Sequence, residues 1–280
     1  MNLFDSLVEE AIKSSEQLAG LRTVVEKEIL HHDILREMGR AGYLSNLTFI
    51  GGTCLRNCYG SVRLSEDLDF TGGSGFRKIE LLSLGDSIIK CFSDKYGLKA
   101  SVSAPLKEKG NVDTWKIRII TKPERPDLPA QKINIDICAL PSHDRKPSML
   151  INHYNIDMGT SGLILFAESR EEILADKITA LALRPNRIMN RDLWDISWLN
   201  RQNIHFSKDL LNEKLKERKI DLPDFRNLLS VRFREIEKGY NDFVFEMRRF
   251  LPSSVVSETV NHEYFWTYLL DLINDIQKKL

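Results

Sequence analysis

Apolar positions along the first forty residues recur at three- and four-residue spacing. The run "LVEEAIKSSEQLAGLRTVVEKEILHHDILREMGR" therefore reads as helix up to about Ala41, with Gly39 and Gly42 marking its stop. His31 and His32 are neighbours on this helix, so their side chains splay apart. They read as a solvated or half-buried pair rather than as metal ligands. The period then changes. "NLTFI" reads as a short strand, Gly51-Gly52 as a turn, and "TCLRNCYG" as a helix to Gly60. "VRLSEDLDF" alternates as a second strand and is closed by "TGGSG". A helix is expected over "FRKIELLSLGDSIIKCFSDKYG". Strands are expected over "TWKIRIIT" and "KINIDICAL", separated by the proline-rich, charged loop "KPERPDLPAQ". From about Glu168 the texture is helical, as in "ESREEILADKITALALR" and "NRDLWDISWLNRQ", with Pro223 and Pro252 at helix starts or breaks. The pattern predicts a mixed α/β part over residues 1–165 and a helical part over residues 166–280.

Composition narrows the class. The chain has 280 residues, 42% hydrophobic and 29% charged, with 40 basic residues against 40 acidic ones. A flat balance argues against a strongly basic body that coats nucleic acid, although a local basic patch remains compatible with it. No run approaches the roughly 18–20 apolar residues that cross a bilayer, and the acids near the N-terminus do not suit a signal peptide. Cys54, Cys58, Cys91 and Cys138 contain no CxxC pair. They read as free thiols of a reducing compartment, which makes a cytoplasmic protein without membrane attachment the expectation.

The candidate chemistry lies in "FIGGTCLRNCYGSVRLSEDLDF". Side chains alternate along a strand, so Asp67 and Asp69 share a face while Leu68 and Phe70 take the other. Two carboxylates side by side repel unless a divalent cation relieves them, although acids at a strand end are often merely solvated. A second strand shifts the reading. In "KINIDICAL", Ile133, Ile135 and Ile137 form an apolar face, with Asn134 and Asp136 opposite. A third carboxylate converging on the first two makes the kit of a metal-assisted phosphoryl-transfer site, with Asp136 also able to take a proton from an attacking hydroxyl. Gly51, Gly52 and Thr53 open a helix whose backbone amides can approach a phosphate, and the Thr53 hydroxyl adds a contact. Ser65, two residues before Asp67, is expected to share its face and to touch the triphosphate. Neither a P-loop nor a dinucleotide fingerprint is present.

"GGTCLRNCYGSVRLSEDLDF" resembles the first motif of the AbiEii/AbiGii-type nucleotidyltransferase toxins, within the polymerase-β-like nucleotidyltransferase superfamily. Gly51, Gly52, Asp67, Asp69 and Asp136 fit the superfamily pattern in order. "EEILADKITAL" and "NRDLWDI" resemble later motifs, placing Lys177 and Asp192, with Asp195 one turn on as the competing acid. The resemblance implies an α+β fold, a polymerase-β-like domain with a small mixed sheet followed by a helical bundle. It also implies transfer of a nucleoside monophosphate from an NTP with Mg2+ or Mn2+. Lys177 would face the triphosphate and Asp192 would serve as a further acid. The acceptor would be a tRNA 3′ end or other RNA, and an antitoxin would restrain the activity.

Two other readings stay open. A glycosyltransferase would use the acid–x–acid pair for a nucleotide-sugar's metal, but leaves the Gly-Gly-Thr turn and Asp136 unexplained. A catalytically inactive module of the same fold would bind only RNA or a partner protein. Arg184, Arg187, Arg191 and Arg201 near Trp194 and Trp198 have the composition of an RNA-facing surface, as do Arg232 with Arg234 and Arg248 with Arg249. A charged outer face on a buried helix would look the same, and the tryptophans read as core.

Overall fold

The computed structural model describes residues 2–105 and 110–280. It separates into two compact units, Met1–Ala167 and Glu168–Leu280. The first carries seven strands: β1 (Thr48–Ile50), β2 (Leu68–Thr71), β3 (Lys99–Ser103), β4 (Val112–Ile120), β5 (Gln131–Cys138), β6 (Arg145–Met149) and β7 (Ile164–Glu168). They form one mixed sheet in the order β3-β4-β5-β2-β1-β7-β6. Helices α1 (Leu3–Lys13), α2 (Arg22–Arg40), α3 (Gly51–Tyr59) and α4 (Leu84–Tyr96) complete the unit. The fold is thus the mixed α/β arrangement that the strand and helix periods imply.

The core follows from the alternation. Ile133, Ile135 and Ile137 of β5 are buried, as are Trp115, Ile117 and Ile119 of β4 and Leu68 and Phe70 of β2. Phe49 of β1 lies opposite Phe70 in register, and the two rings stack at 5.0 Å. The polar residues between these positions are left on the other face of the sheet.

Several expected elements come out differently, each for a local reason. The single N-terminal helix is broken: α1 ends at Lys13, a 3-10 segment spans Glu16–Leu21, and α2 follows. Ser14 and Ser15 begin the break, with Ser15 extended at φ −153°. The second strand does not run from Val62; only Leu68–Thr71 pairs. Over residues 61–67 the backbone is bonded to side chains of α2 instead of a strand neighbour. The Ser65 amide donates to Glu28 at 3.0 Å, and the Glu66 carbonyl meets His31 Nε2 at 2.9 Å. The helix expected from Phe76 begins at Leu84, after a 3-10 turn over Lys78–Leu81. β3, β6 and β7 were not foreseen; the first two are the sheet's edges, and short or Pro147-interrupted edge strands carry little alternation.

The second unit is helical: α5 (Arg170–Leu183), α6 (Asn190–Arg201), α7 (Lys208–Glu217), α8 (Leu222–Ile236), α9 (Tyr240–Met247), α10 (Ser253–Val255) and α11 (Glu263–Lys279). Ser169, Ser207 and Asp221 cap their helices by accepting the amides of Glu172, Leu210 and Asp224. Trp194, Phe225 and Phe243 are fully buried, and Lys214 closes onto Glu168, Glu172 and Asp176, tying α7 to α5. No helix of the described residues is long and apolar enough to cross a membrane.

His31 and His32 are not half-buried but enclosed, at 0% and 2% exposure. His32 Nδ1 meets the Thr160 hydroxyl at 2.7 Å. Burial pushes both imidazoles down to about 4. The native fold holds them neutral, whereas the unfolded chain takes up protons below about pH 6.5. Their contribution to stability is therefore complete above that pH and lost as pH falls towards about 4. Each should cost about 1.4 kcal/mol per pH unit within that window. Urea midpoints measured from pH 7.5 to 5 should fall steeply below 6.5; a flat profile would contradict the enclosed, neutral pair.

Candidate active site

The site is built from two parallel strands. β2 and β5 pair so that Asp69 stands directly opposite Asp136, on the face away from Leu68, Ile135 and Phe70. β4 places Thr114 opposite Asp136 on the other side, and the Thr114 hydroxyl donates to Asp136 Oδ1 at 2.5 Å. That bond leaves the second oxygen of Asp136 to other work. Asp67 lies just before β2 begins, and its Oδ1 accepts the Asn134 amide of β5 at 2.8 Å. Burial raises the Asp67 carboxyl above its ordinary value, with Glu66 and Asp136 adding repulsion; the Asn134 amide and Lys27 oppose the shift.

The three carboxylates therefore gather at one end of β2 and β5, but not as a closed cluster. Among the described residues no three acidic, histidine or cysteine side chains converge as ligands of one metal ion. One oxygen of Asp67 is taken by the Asn134 amide of β5. What the structure offers a cation is the register pair Asp69–Asp136, with Asp67 beside it. Oxygen donors from one or two carboxylates, completed by substrate phosphates and water, are the set Mg2+ ordinarily takes, so the residues fit that ion.

The glycine turn meets the same place. β1 pairs Ile50 with Asp69, and α3 starts at the next residue without a side-chain cap. Gly51 has φ +75°, and a Cβ there would stand 2.9 Å from Asp69 Oδ2. Only glycine permits both the conformation and the approach. The result sets the electropositive first turn of α3 beside the carboxylate pair. Gly52 follows within that turn and is buried.

Thr53 and Ser65 occupy a different position from the one expected. Both are buried, and Ser65 is not on a strand. Their hydroxyls lie 2.6 Å apart, and Thr53 also donates to the Asp67 carbonyl. They pin the backbone that carries Asp67 instead of turning outward to a phosphate.

A buried ion pair underlies this arrangement and was not anticipated from the sequence. Glu28 of α2 accepts from Arg56 Nε at 3.1 Å, from the Tyr154 hydroxyl at 2.5 Å and from the Ser65 amide at 3.0 Å. Arg56, on α3, also donates to the Ser61 carbonyl, while His153 meets the Arg56 carbonyl. Burial opposes ionisation of Glu28, but Arg56 and Tyr154 outweigh it and hold the carboxyl below its usual range. The available signal was a glutamate within the apolar stripe of α2, three residues ahead of His31.

In the helical unit Lys177 and Asp192 do come together. Lys177 Nζ lies 2.7 Å from Asp192 and 2.9 Å from Asp195, and Arg184 holds the other oxygen of Asp192 at 2.7 Å. Asp195 is fully buried. The arginines expected to face RNA are largely engaged within the unit. Arg191 lies over Phe250 and Arg201 over Trp194, while Arg232 donates to the Arg184 carbonyl and Arg248 to Asn261. Trp194 and Trp198 are core. None of the four cysteines is in a disulfide among the described residues, and Cys54 is buried and Cys58 half-buried on α3.

The fold has solved counterparts. MenT4, a nucleotidyltransferase toxin from Mycobacterium tuberculosis H37Rv, matches at 20% identity and a TM-score of 0.51, over 85% of this chain and 71% of its own. JHP933 from Helicobacter pylori matches at 19% identity and a TM-score of 0.53, over 92% and 93%. A putative nucleotidyltransferase from H. pylori matches at 18% identity and 0.52, over 92% and 96%. These likenesses show the fold, one shared with solved nucleotidyltransferase structures. No curated protein sequence matches the chain. The family model described as nucleotidyl transferase AbiEii toxin, type IV toxin–antitoxin system, matches residues 33–269, and the chain belongs to that family. Membership makes it a nucleotidyltransferase toxin with a cognate antitoxin as partner.

Replacing Glu28 by alanine would leave Arg56 buried without its carboxylate and free the Ser65 amide. Loss of about 3–5 kcal/mol is expected, with faster hydrogen exchange across residues 61–67. Denaturant titration and exchange mass spectrometry read both; an unchanged midpoint would remove the pair from its supporting role.

Proposed function

We propose that the protein transfers a nucleoside monophosphate from an NTP to a hydroxyl of an RNA acceptor, the α–β phosphoanhydride breaking and pyrophosphate leaving, with the tRNA 3′ end as the leading candidate, in a Mg2+-dependent reaction of the cytoplasm. The observation that carries this reading is the apposition of Asp69 and Asp136 on parallel strands, with the first turn of α3 brought against Asp69 by Gly51. A magnesium ion held by Asp69 and Asp136 would neutralise phosphate charge and orient the triphosphate; Mn2+ shares this donor preference. The chain's own groups supply the rest. The amides of Gly51 and Gly52 at the start of α3 bind the terminal phosphates. Asp136, oriented by Thr114, takes the proton of the attacking hydroxyl at its second oxygen. Asp67, its backbone held by Thr53, adds negative charge that strengthens cation binding. Lys177 and Asp192 belong to the helical unit's own charge cluster, in which Lys177 meets both Asp192 and Asp195.

The test is incubation of purified protein with total tRNA, Mg2+ and each α-labelled NTP in turn. Wild type should label RNA, and Asp69→Asn or Asp136→Asn should lower the rate by about 10²–10⁴-fold. Label on protein alone would replace the acceptor. Absence of transfer from every NTP would favour the second reading, a module of this fold that binds RNA or its partner without chemistry.

A further inference from the structure

The strand register continues past the carboxylates in a regular way. The row holding Thr114, Asp136 and Asp69 is followed, two residues along the strands, by Ser103, Lys116 and Asn134. The next row holds Ser101, Arg118 and Lys132. Each step is about 6.6 Å. All these side chains lie on the sheet face opposite Trp115, Ile117, Ile133 and Ile135, which are buried. Helix α4 packs on the opposite face, where a Cβ on Gly85 would lie 3.3 Å from Val102. Lys116, Arg118, Lys132, Ser101 and Ser103 are exposed.

This strip is strongly one-signed in a chain whose net charge is +0. Arg118 and Lys132 stand directly opposite one another, a like-charge pairing that costs stability in a sheet. None of the three basic residues makes an ion pair among the described residues. The strip also lacks aromatic side chains, so it is not a platform on which bases stack. Its donors are ammonium, guanidinium and hydroxyl groups, which suit phosphate and sugar oxygens instead. The first basic row begins one step from Asp136.

We propose that Lys116, Arg118 and Lys132, with Ser101 and Ser103 alongside, form a track for the sugar–phosphate backbone of the RNA acceptor. The track leads the strand's end towards Asp69 and Asp136. It binds without reading sequence, because its contacts are to the backbone. This rests on the transferase reading with an RNA acceptor, but binding can be measured without turnover.

The experiment compares wild type with the Lys116→Gln/Arg118→Gln/Lys132→Gln triple variant by fluorescence anisotropy, using a labelled single-stranded RNA 12-mer at several salt concentrations. A bound RNA that contacts all three residues should lose at least about tenfold in affinity at low salt in the variant. The slope of log K against log salt should fall by about 2, since each single-strand phosphate contact contributes roughly 0.7. The variant's thermal midpoint should be equal or higher, since a like-charge pair is removed, and Mg2+-dependent NTP binding should be unchanged. Equal affinity and slope in the two proteins, or no RNA binding by wild type, overturns the track. Loss of RNA binding in the variant supports it even if the wild type transfers no nucleotide, in which case only the transferase reading fails. If the variant instead loses binding to an acidic partner protein while keeping RNA affinity, the track is likewise overturned.

Discussion

The Glu28–Arg56 pair is the constraint on which the site's geometry rests. A carboxylate at 1% exposure and a guanidinium at 6% exposure are costly to remove from water, and the pair is tolerable only because its remaining hydrogen-bonding capacity is filled. The groups that fill it come from separate parts of the chain: the Tyr154 hydroxyl, the Ser65 amide and the Ser61 carbonyl. One buried charge pair thereby fixes α2, α3 and the segment before β2 against each other. With α3 fixed, Gly51 is held against Asp69. With residues 61–67 fixed, Asp67 is delivered to Asn134. Specificity of position, more than net stability, is what such a network supplies here.

Two treatments of charge are visible in the molecule. In the helical unit, Lys214 with Glu168, Glu172 and Asp176, and Lys177 with Asp192 and Asp195, are clusters in which opposite charges meet directly. On the sheet, charges are grouped by register instead: Asp69 and Asp136 in one row and Lys116, Arg118 and Lys132 in the rows beyond, with Asp67 beside Asn134 where the two signs meet. Segregation of this kind favours external ions, with cations at the acidic row and anions at the basic ones. It also explains why net charge was uninformative, since the sum of the two signs is zero while their placement is not.

Legibility in the sequence followed the strength of local signals. The α/β character, β4, β5, the start of α5 and the face carrying Asp136 were readable because alternation over β5 is regular and both strands are long. Asp67 and Asp69 could be singled out by motif, but their geometry could not. The expected strand over Val62–Phe70 required backbone partners that α2 supplies in their place, and nothing local announces that Glu28 and His31 will do so. Thr53 and Ser65 looked like outward hydroxyls for the same reason. The two histidines were misplaced because adjacent helical positions suggest divergent exposure, whereas α2 is enclosed on nearly every side at that point. The basic track depends on the register of three strands, one of which, β3, has no distinctive pattern of its own.

The central claim is that Asp69, Asp136 and the first turn of α3 together hold the metal and the phosphates of a nucleotide. The most direct measurement is calorimetric titration of NTP into the protein with and without Mg2+, repeated for Asp69→Asn and Asp136→Asn. Binding that requires Mg2+ in the wild type and is lost in both variants, with unchanged thermal unfolding, is the predicted result. Tight NTP binding that is indifferent to the metal, or that survives both substitutions, would contradict the account.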